Sequence, residues 1–156
     1  MASNLFSAQE AIKFTSLAPL KIASPFIAPY LQTGTNEIKA AAAAPLAYNP
    51  SYTAQLRTMA LDRELPTVVR TAPLQGLAVT DKEFVTYGLA LAKDNDLPAS
   101  LSETALSSVQ LSAKKFDISR DTILVVTKEL QAPGVTVPSP VFREQLKSLQ
   151  KLGEPG

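Results

Sequence analysis

Proline is spread so unevenly along this chain that it decides where long helices can form. Seven of the 12 prolines fall before residue 75 (Pro19, Pro25, Pro29, Pro45, Pro50, Pro66 and Pro73). Only Pro98 lies between residues 74 and 132, and Pro133, Pro138, Pro140 and Pro155 follow. Each proline removes a backbone donor and biases the residue before it toward extended geometry. Short elements and extended connections are therefore expected in the first half, and longer helices in the middle. Charge divides the chain at a similar place. Residues 1–60 carry only Glu10, Lys13, Lys21, Glu37, Lys39 and Arg57 as charged side chains. A length of 156 residues suits one ordinary domain, and 46% hydrophobic residues exclude wholesale disorder.

In the N-terminal part, Ser7-x-x-Glu10 forms a capping box, with Phe6 placed to staple the first turn. Ala11, Phe14 and Ala18 then give a short apolar face that ends before Pro19. Residues 18–34 are apolar, but proline recurs too closely for a long helix, so an extended segment that needs a partner surface is expected. Thr35 can cap a helix through the Ala40–Ala44 run, which reads as a close-packed helix or a linker. A firmer helix is expected from Ser51, with Tyr52, Leu56, Met59 and Arg63 at helical spacing and a stop at Pro66. The β-branched run Thr67-Val68-Val69-Arg70-Thr71 and the segment Leu77-Ala78-Val79 read as a small hairpin.

The second half is strongly periodic. Thr80-x-x-Glu83 opens a helix with Phe84, Tyr87, Gly88 and Leu91 on one face, which ends in the turn Lys93-Asp94-Asn95-Asp96. Ser100-x-x-Glu103 opens the next, where Leu101, Ala105, Val109, Ala113 and Phe116 follow at close to a four-residue period. Ser119 caps a helix carrying Ile123, Val126 and Leu130, stopped by Pro133-Gly134. Ser139 caps a last helix with Pro140 at its first position. Its apolar face is Phe142, Leu146 and Leu149; Lys147 and Lys151 suit its last turn, and Gly153 closes it.

Chemistry is limited by missing parts. With no Cys and no His, the chain has no disulfide, thiol nucleophile or histidine dyad, and no zinc site of the usual kind. There is no Gly-x-Gly-x-x-Gly, no phosphate loop and no Gly-x-Ser-x-Gly elbow. Three carboxylate pairs stand out: Asp62 with Glu64, Asp81 with Glu83, and Asp94 with Asp96. Acid–base work needs such groups in contrasting environments, which nothing in the sequence marks. Asp94-Asn95-Asp96 resembles the start of a calcium loop but lacks the later glycine and bidentate glutamate, and reads as a turn. No enzymatic activity, cofactor or metal is expected.

A net charge of +1, from 15 basic and 14 acidic residues, excludes a strongly basic nucleic-acid binder. Lys114, Lys115 and Arg120 cluster, with Asp117 and Asp121 among them, and the chain has no Trp for base stacking. Tyr30, Tyr48 and Tyr52 read as interface or core packing. No apolar run approaches the ~20 residues of a membrane span, since Lys13, Lys21 and Lys39 interrupt the N-terminal stretches. The start lacks the pattern of a secretory signal, and the absence of Arg before Arg57 argues against a transit peptide.

The segment Ala113 to Ile123 (AKKFDISRDTI) is similar to the core of a helix-turn-helix DNA-binding motif. Ala113 matches the small residue of the first helix. Phe116 and Ile118 match the apolar positions around the turn, and Ile123 and Val126 the anchors of the second helix. Asp117 stands where the motif usually has glycine, and Ser112 where it has an apolar residue. The face that would read bases carries Leu124 and Val125, which suit contact with protein better than with base edges. Two ordinary helices joined by a capped turn is the preferred reading.

The expected fold is mainly α: a helical body over residues 51–152 with at most a short β-hairpin, and a tail at 153–156. An extended, proline-rich, apolar arm over residues 1–50 precedes it. Such an arm spans roughly 100 Å when extended and must be held by contacts elsewhere. The expected function is a non-enzymatic structural subunit of a large oligomeric assembly, in a virion as a bacteriophage capsid, connector, tail or cement protein. Its partners are other protein subunits. In the arm, Pro25, Phe26, Ile27, Pro29, Tyr30, Leu31 and Tyr48 are the candidate partner-binding residues, and Leu124 and Val125 form a second candidate partner face. The alternatives are a small cytoplasmic helix-turn-helix DNA-binding or DNA-packaging protein, and a peripheral subunit of a membrane or organellar complex.

Overall fold

The structure, a computed structural model, describes residues 20–154. It is mainly helical, with no strand among the described residues. The chain divides into two compact units at the Thr80–Asp81 bond. The expected helix that starts at Ser7 lies outside the described residues.

The first unit comprises α1 (Leu20–Ile27), a 3-10 turn (Ala28–Leu31), α2 (Asn36–Leu46), a second 3-10 turn (Pro50–Tyr52), α3 (Thr53–Leu61), α4 (Thr67–Thr71) and α5 (Leu74–Thr80). Helix α2 is its centre, packing on α1, the first 3-10 turn, α4 and α5. Thr35 caps it by accepting a hydrogen bond from the Ile38 N–H at 3.3 Å, and Glu37 lies in its first turn. The alanine run is a close-packed helix: Ala42, Ala43 and Leu46 are fully buried. Small side chains contribute little area but let neighbouring backbones come close. Gly76 of α5 lies directly on Ala47, so a Cβ at position 76 would sit 2.8 Å from the Ala47 carbonyl carbon. Beside that contact the Thr80 hydroxyl lies 2.8 Å from the carbonyl oxygens of both Ala47 and Gly76.

Two expectations change here. The hairpin is absent, and its two segments are the helices α4 and α5. Pro66 supplies the extended N-cap, and its carbonyl accepts from the N–H groups of Val69 and Arg70. Val69, Pro73, Leu74, Leu77 and Ala78 turn inward, a helical spacing that overrides the local β propensity of Val68 and Val69. The described part of the extended arm, residues 20–50, is likewise mostly helical. Ala23, Ile27 and Leu31, four residues apart, are all buried. Pro29 opens the 3-10 turn, where its missing N–H costs nothing, and only Pro25 and Pro45 lie inside helices. Ala42, Ala43, Leu46 and Ala47 therefore belong to the core of the first unit, and a body starting at residue 51 lacks its central helix.

The second unit is four helices: α6 (Phe84–Lys93), α7 (Ala99–Lys115), α8 (Arg120–Leu130) and α9 (Pro140–Gly153). Contacts run in a ring, α6 with α7, α7 with α9, α9 with α8, and α8 with α6. Phe84, Leu101, Leu106, Leu130, Phe142 and Leu149 fill its core. Ser119 and Ser139 cap as expected, accepting from the Thr122 and Phe142 N–H groups at 3.2 and 3.1 Å. Gly153 ends α9 and has a second use. A Cβ there would lie 3.1 Å from both Ile123 and Leu124, so its lack of a side chain lets α9 approach α8.

The other two caps differ from expectation. Helix α7 starts after Pro98, and Ser100 makes no side-chain cap. Proline at the N-cap position sets the extended entry, and its carbonyl accepts from Leu101 and Ser102, so the helix begins ahead of the serine. Before α6, Asp81 rather than Thr80 accepts the Glu83 N–H, at 3.0 Å. Its other oxygen accepts from the buried Tyr87 hydroxyl at 2.8 Å. Phe116 ends α7 half-buried, outside the fully buried row of Leu101, Ala105, Val109 and Ala113. Ser139→Ala is expected to cost about 1 kcal/mol in chemical denaturation of the full chain. Ser100→Ala should stay within about 0.5 kcal/mol. The reverse order of the two would place the start of α7 at the serine after all.

Candidate functional site

The first unit carries an open cleft of about 520 Å³ lined by Ser24, Pro25, Tyr48, Asn49, Pro50, Ser51 and Tyr52. The chain turns sharply here between α2 and α3, and Asn49 holds the turn. Its carboxamide oxygen accepts from the Ser51 N–H at 3.0 Å, and its nitrogen donates to the Ser24 hydroxyl at 2.9 Å. That second bond ties α1 to the turn. No lining side chain is charged. Rings and prolines over a satisfied amide suit an apolar or extended protein segment better than an ionic ligand.

Of the candidate arm residues, the structure turns some outward and others inward. Phe26 is 66% exposed and Tyr48 is 48% exposed. Pro25 and Tyr48 share the cleft, with Phe26 next in sequence to Pro25. Pro29 is exposed and Tyr30 half-buried. Ile27 and Leu31, expected to face a partner, are core residues of the first unit, at 1% and 4% exposure. Sequence reading missed Asn49 and Ser24; the Asn-Pro step at 49–50 is the local signal that marks this turn.

In the second unit Leu124 is 45% and Val125 58% exposed on α8. The turn before α8 has a definite geometry. Asp117 has φ of +50°, the one positive value at a non-glycine residue among those described. The Ile118 N–H donates to the Ala113 carbonyl at 2.9 Å and the Asp117 N–H to that of Lys114 at 3.4 Å. This is a Schellman ending, with aspartate in the left-handed position that glycine usually takes. In the ring of contacts, however, α7 packs chiefly on α6 and α9, and α8 chiefly on α9 and α6.

The carboxylate pairs share one structural role. Asp62, Asp81 and Asp94 each accept, through one carboxylate oxygen, the N–H two residues on, at 2.9, 3.0 and 3.0 Å. Asp62 and Asp94 do so as C-caps of α3 and α6 with nearly the same backbone angles. Each first carboxylate is thus held in a local turn. Asn95, between the last pair, sits in the expected turn and has a further role that the sequence does not mark. Its side chain accepts from the Thr136 N–H at 2.8 Å and donates to the Gly134 carbonyl, joining the α6–α7 turn to the α8–α9 loop.

Among the described residues no group of three or more acidic side chains is placed to hold a metal ion. None of the helices described is long and apolar enough to cross a membrane. No protein-family model, curated protein or solved structure matches this chain.

Proposed function

We propose that this protein is a non-enzymatic structural subunit of a large multi-subunit assembly, with a virus particle as the setting. The observation that carries the reading is exposed apolar side chains on each unit: Phe26 and the cleft-lining Tyr48 on the first, Leu124 and Val125 on the second. Single exposed apolar residues are ordinary, but a phenylalanine 66% exposed in the same unit as a ring-and-proline cleft supports a docking role. Two such faces give a chain two separate contacts, as a subunit built into a larger array needs. Charged residues at only 19% fit a surface that is largely covered.

The test is incorporation. In particles purified from the source of this sequence, mass spectrometry should find the chain in stoichiometric amount. The double variant Phe26→Ser with Tyr48→Ser should fold, since both side chains are exposed, and should be at least about tenfold depleted from the particles. Normal incorporation of that variant, or particles lacking the chain, would remove this reading.

One observation favours a second reading, a helix-turn-helix DNA-binding protein: the Schellman turn at Asp117, followed by a serine-capped helix, with Lys114, Lys115 and Arg120 exposed around it. Duplex DNA binding that weakens steeply with salt, through counterion release, would select it.

A further inference from the structure

Helix α8 presents an outward stripe made of Asp121, Leu124, Val125 and Lys128, all exposed, at the i, i+3, i+4, i+7 spacing of one helix face. Its buried face is the other one, with Ile123, Val126, Thr127 and Leu130. Arg120 and Glu129 flank the stripe at its two ends and are also exposed. None of these four charged side chains has a hydrogen-bond or ion-pair partner among the described residues.

The order of charges along the stripe reads acid, apolar, apolar, base. We propose that α8 pairs with α8 of a second copy of this chain, antiparallel, about a two-fold axis passing between Leu124 and Val125. In that arrangement Leu124 packs on the second copy's Val125, and Val125 on its Leu124. Asp121 meets Lys128 of the second copy, a pair that occurs twice, while Arg120 and Glu129, nine residues apart and so on opposite flanks of the helix, stay outside the contact. A parallel pairing would put Asp121 on Asp121 and Lys128 on Lys128, which like-charge repulsion opposes. The stripe is thus complementary to itself only in the antiparallel arrangement, with the two-fold of a homodimer perpendicular to the helix. A helix of 11 residues is about 16 Å long, so the contact is smaller than a standard interface and its affinity modest. The inference rests on the reading of Leu124 and Val125 as a partner face and names the partner.

Charge reversal with mixing tests it. The full chain should show a mass in analytical ultracentrifugation that rises from monomer to dimer over roughly 1 μM to 1 mM. Asp121→Lys makes the stripe wholly basic and Lys128→Asp makes it wholly acidic, so each variant alone should lose self-association. An equimolar mixture of the two should form a one-to-one heterodimer, and the double variant Asp121→Lys with Lys128→Asp should regain the homodimer. Either reversal also places a charge unfavourably on the helix dipole. The regain in the double variant and in the mixture separates pairing from that loss of helix stability. Wild-type chain that stays monomeric, single variants that associate as well as wild type, or a mixture that fails to pair would each overturn the proposal. A dimer of this kind in a chain missing from all particles would leave this inference standing while the assembly reading fell.

Discussion

Phe84→Ala should lower stability by about 3–5 kcal/mol, the largest loss expected from a single truncation in the second unit. Phe84 is fully buried at the start of α6, on the helix that makes the most extensive pairing of the unit, with α7. Its ring stands edge-on to Tyr87, with centroids 5.0 Å apart and planes at 68°. It also fills the space over Gly88, where a Cβ would come within 2.7 Å of the Phe84 ring and 2.8 Å of Val109. Alanine leaves a cavity walled by helix backbone on the Gly88 side, which cannot collapse cheaply, and it removes an aromatic contact beyond the lost area. Net stabilities of single domains are roughly 5–15 kcal/mol, so a substantial part of the total goes. Circular dichroism melts of the two chains measure it. A midpoint within about 2 °C of wild type would mean that Phe84 is not a core residue.

The second large effect has the opposite geometry, too much side chain instead of too little. Gly76→Val is expected to cost about 3 kcal/mol or more. Its Cβ would meet Ala47, whose carbonyl carbon lies 2.8 Å away and whose Cβ is closer still. Neither atom belongs to a flexible side chain. Ala47 is fully buried, its N–H is bonded to the Ala43 carbonyl at the end of α2, and its own carbonyl lies beside the Thr80 hydroxyl. The clash can be relieved only by moving α5 away from α2, which opens the centre of the first unit. Gly134→Ala is the control. Gly134 has φ of +94° with nothing within 4 Å of the added carbon, so only backbone strain of about 1 kcal/mol is expected there. Equal losses at the two glycines in urea denaturation would show that the α2–α5 contact is not close-packed.

Helices α8 and α9 of the second unit were legible because each carries its own punctuation. Ser119 and Ser139 cap where the sequence places them, the stripes Ile123–Val126–Leu130 and Phe142–Leu146–Leu149 are buried, and Pro133-Gly134 separates the two elements. Thr35 did the same for α2. Ser100 misled because capping boxes are defined by residue type, and Pro98 two positions earlier already supplied an extended N-cap. The candidate partner residues were legible only in part. Residue type marks Phe26, Ile27, Tyr30 and Leu31 alike as apolar, while the fold turns Phe26 outward and buries Ile27 and Leu31. The four-residue spacing of Ala23, Ile27 and Leu31 was the available signal, and Pro25 and Pro29 between them masked it.

What the sequence determined by itself is therefore local: helix starts with a hydroxyl cap, stops with proline and glycine, and a side-chain inventory without Cys or His. These follow from interactions within a few residues, whose partners are always present. The tertiary structure decided what depends on distant partners. It made helices of Thr67–Thr71 and Leu74–Thr80, because packing against α2 outweighs β propensity worth tenths of a kcal/mol to about 1 kcal/mol per residue. It folded residues 20–50 into a packed unit, because burial of Ala42, Ala43 and Leu46 needs α1, α4 and α5 around them. It also left Leu124 and Val125 on the outside of α8, since only the second unit's own neighbours determine which face of that helix is already covered.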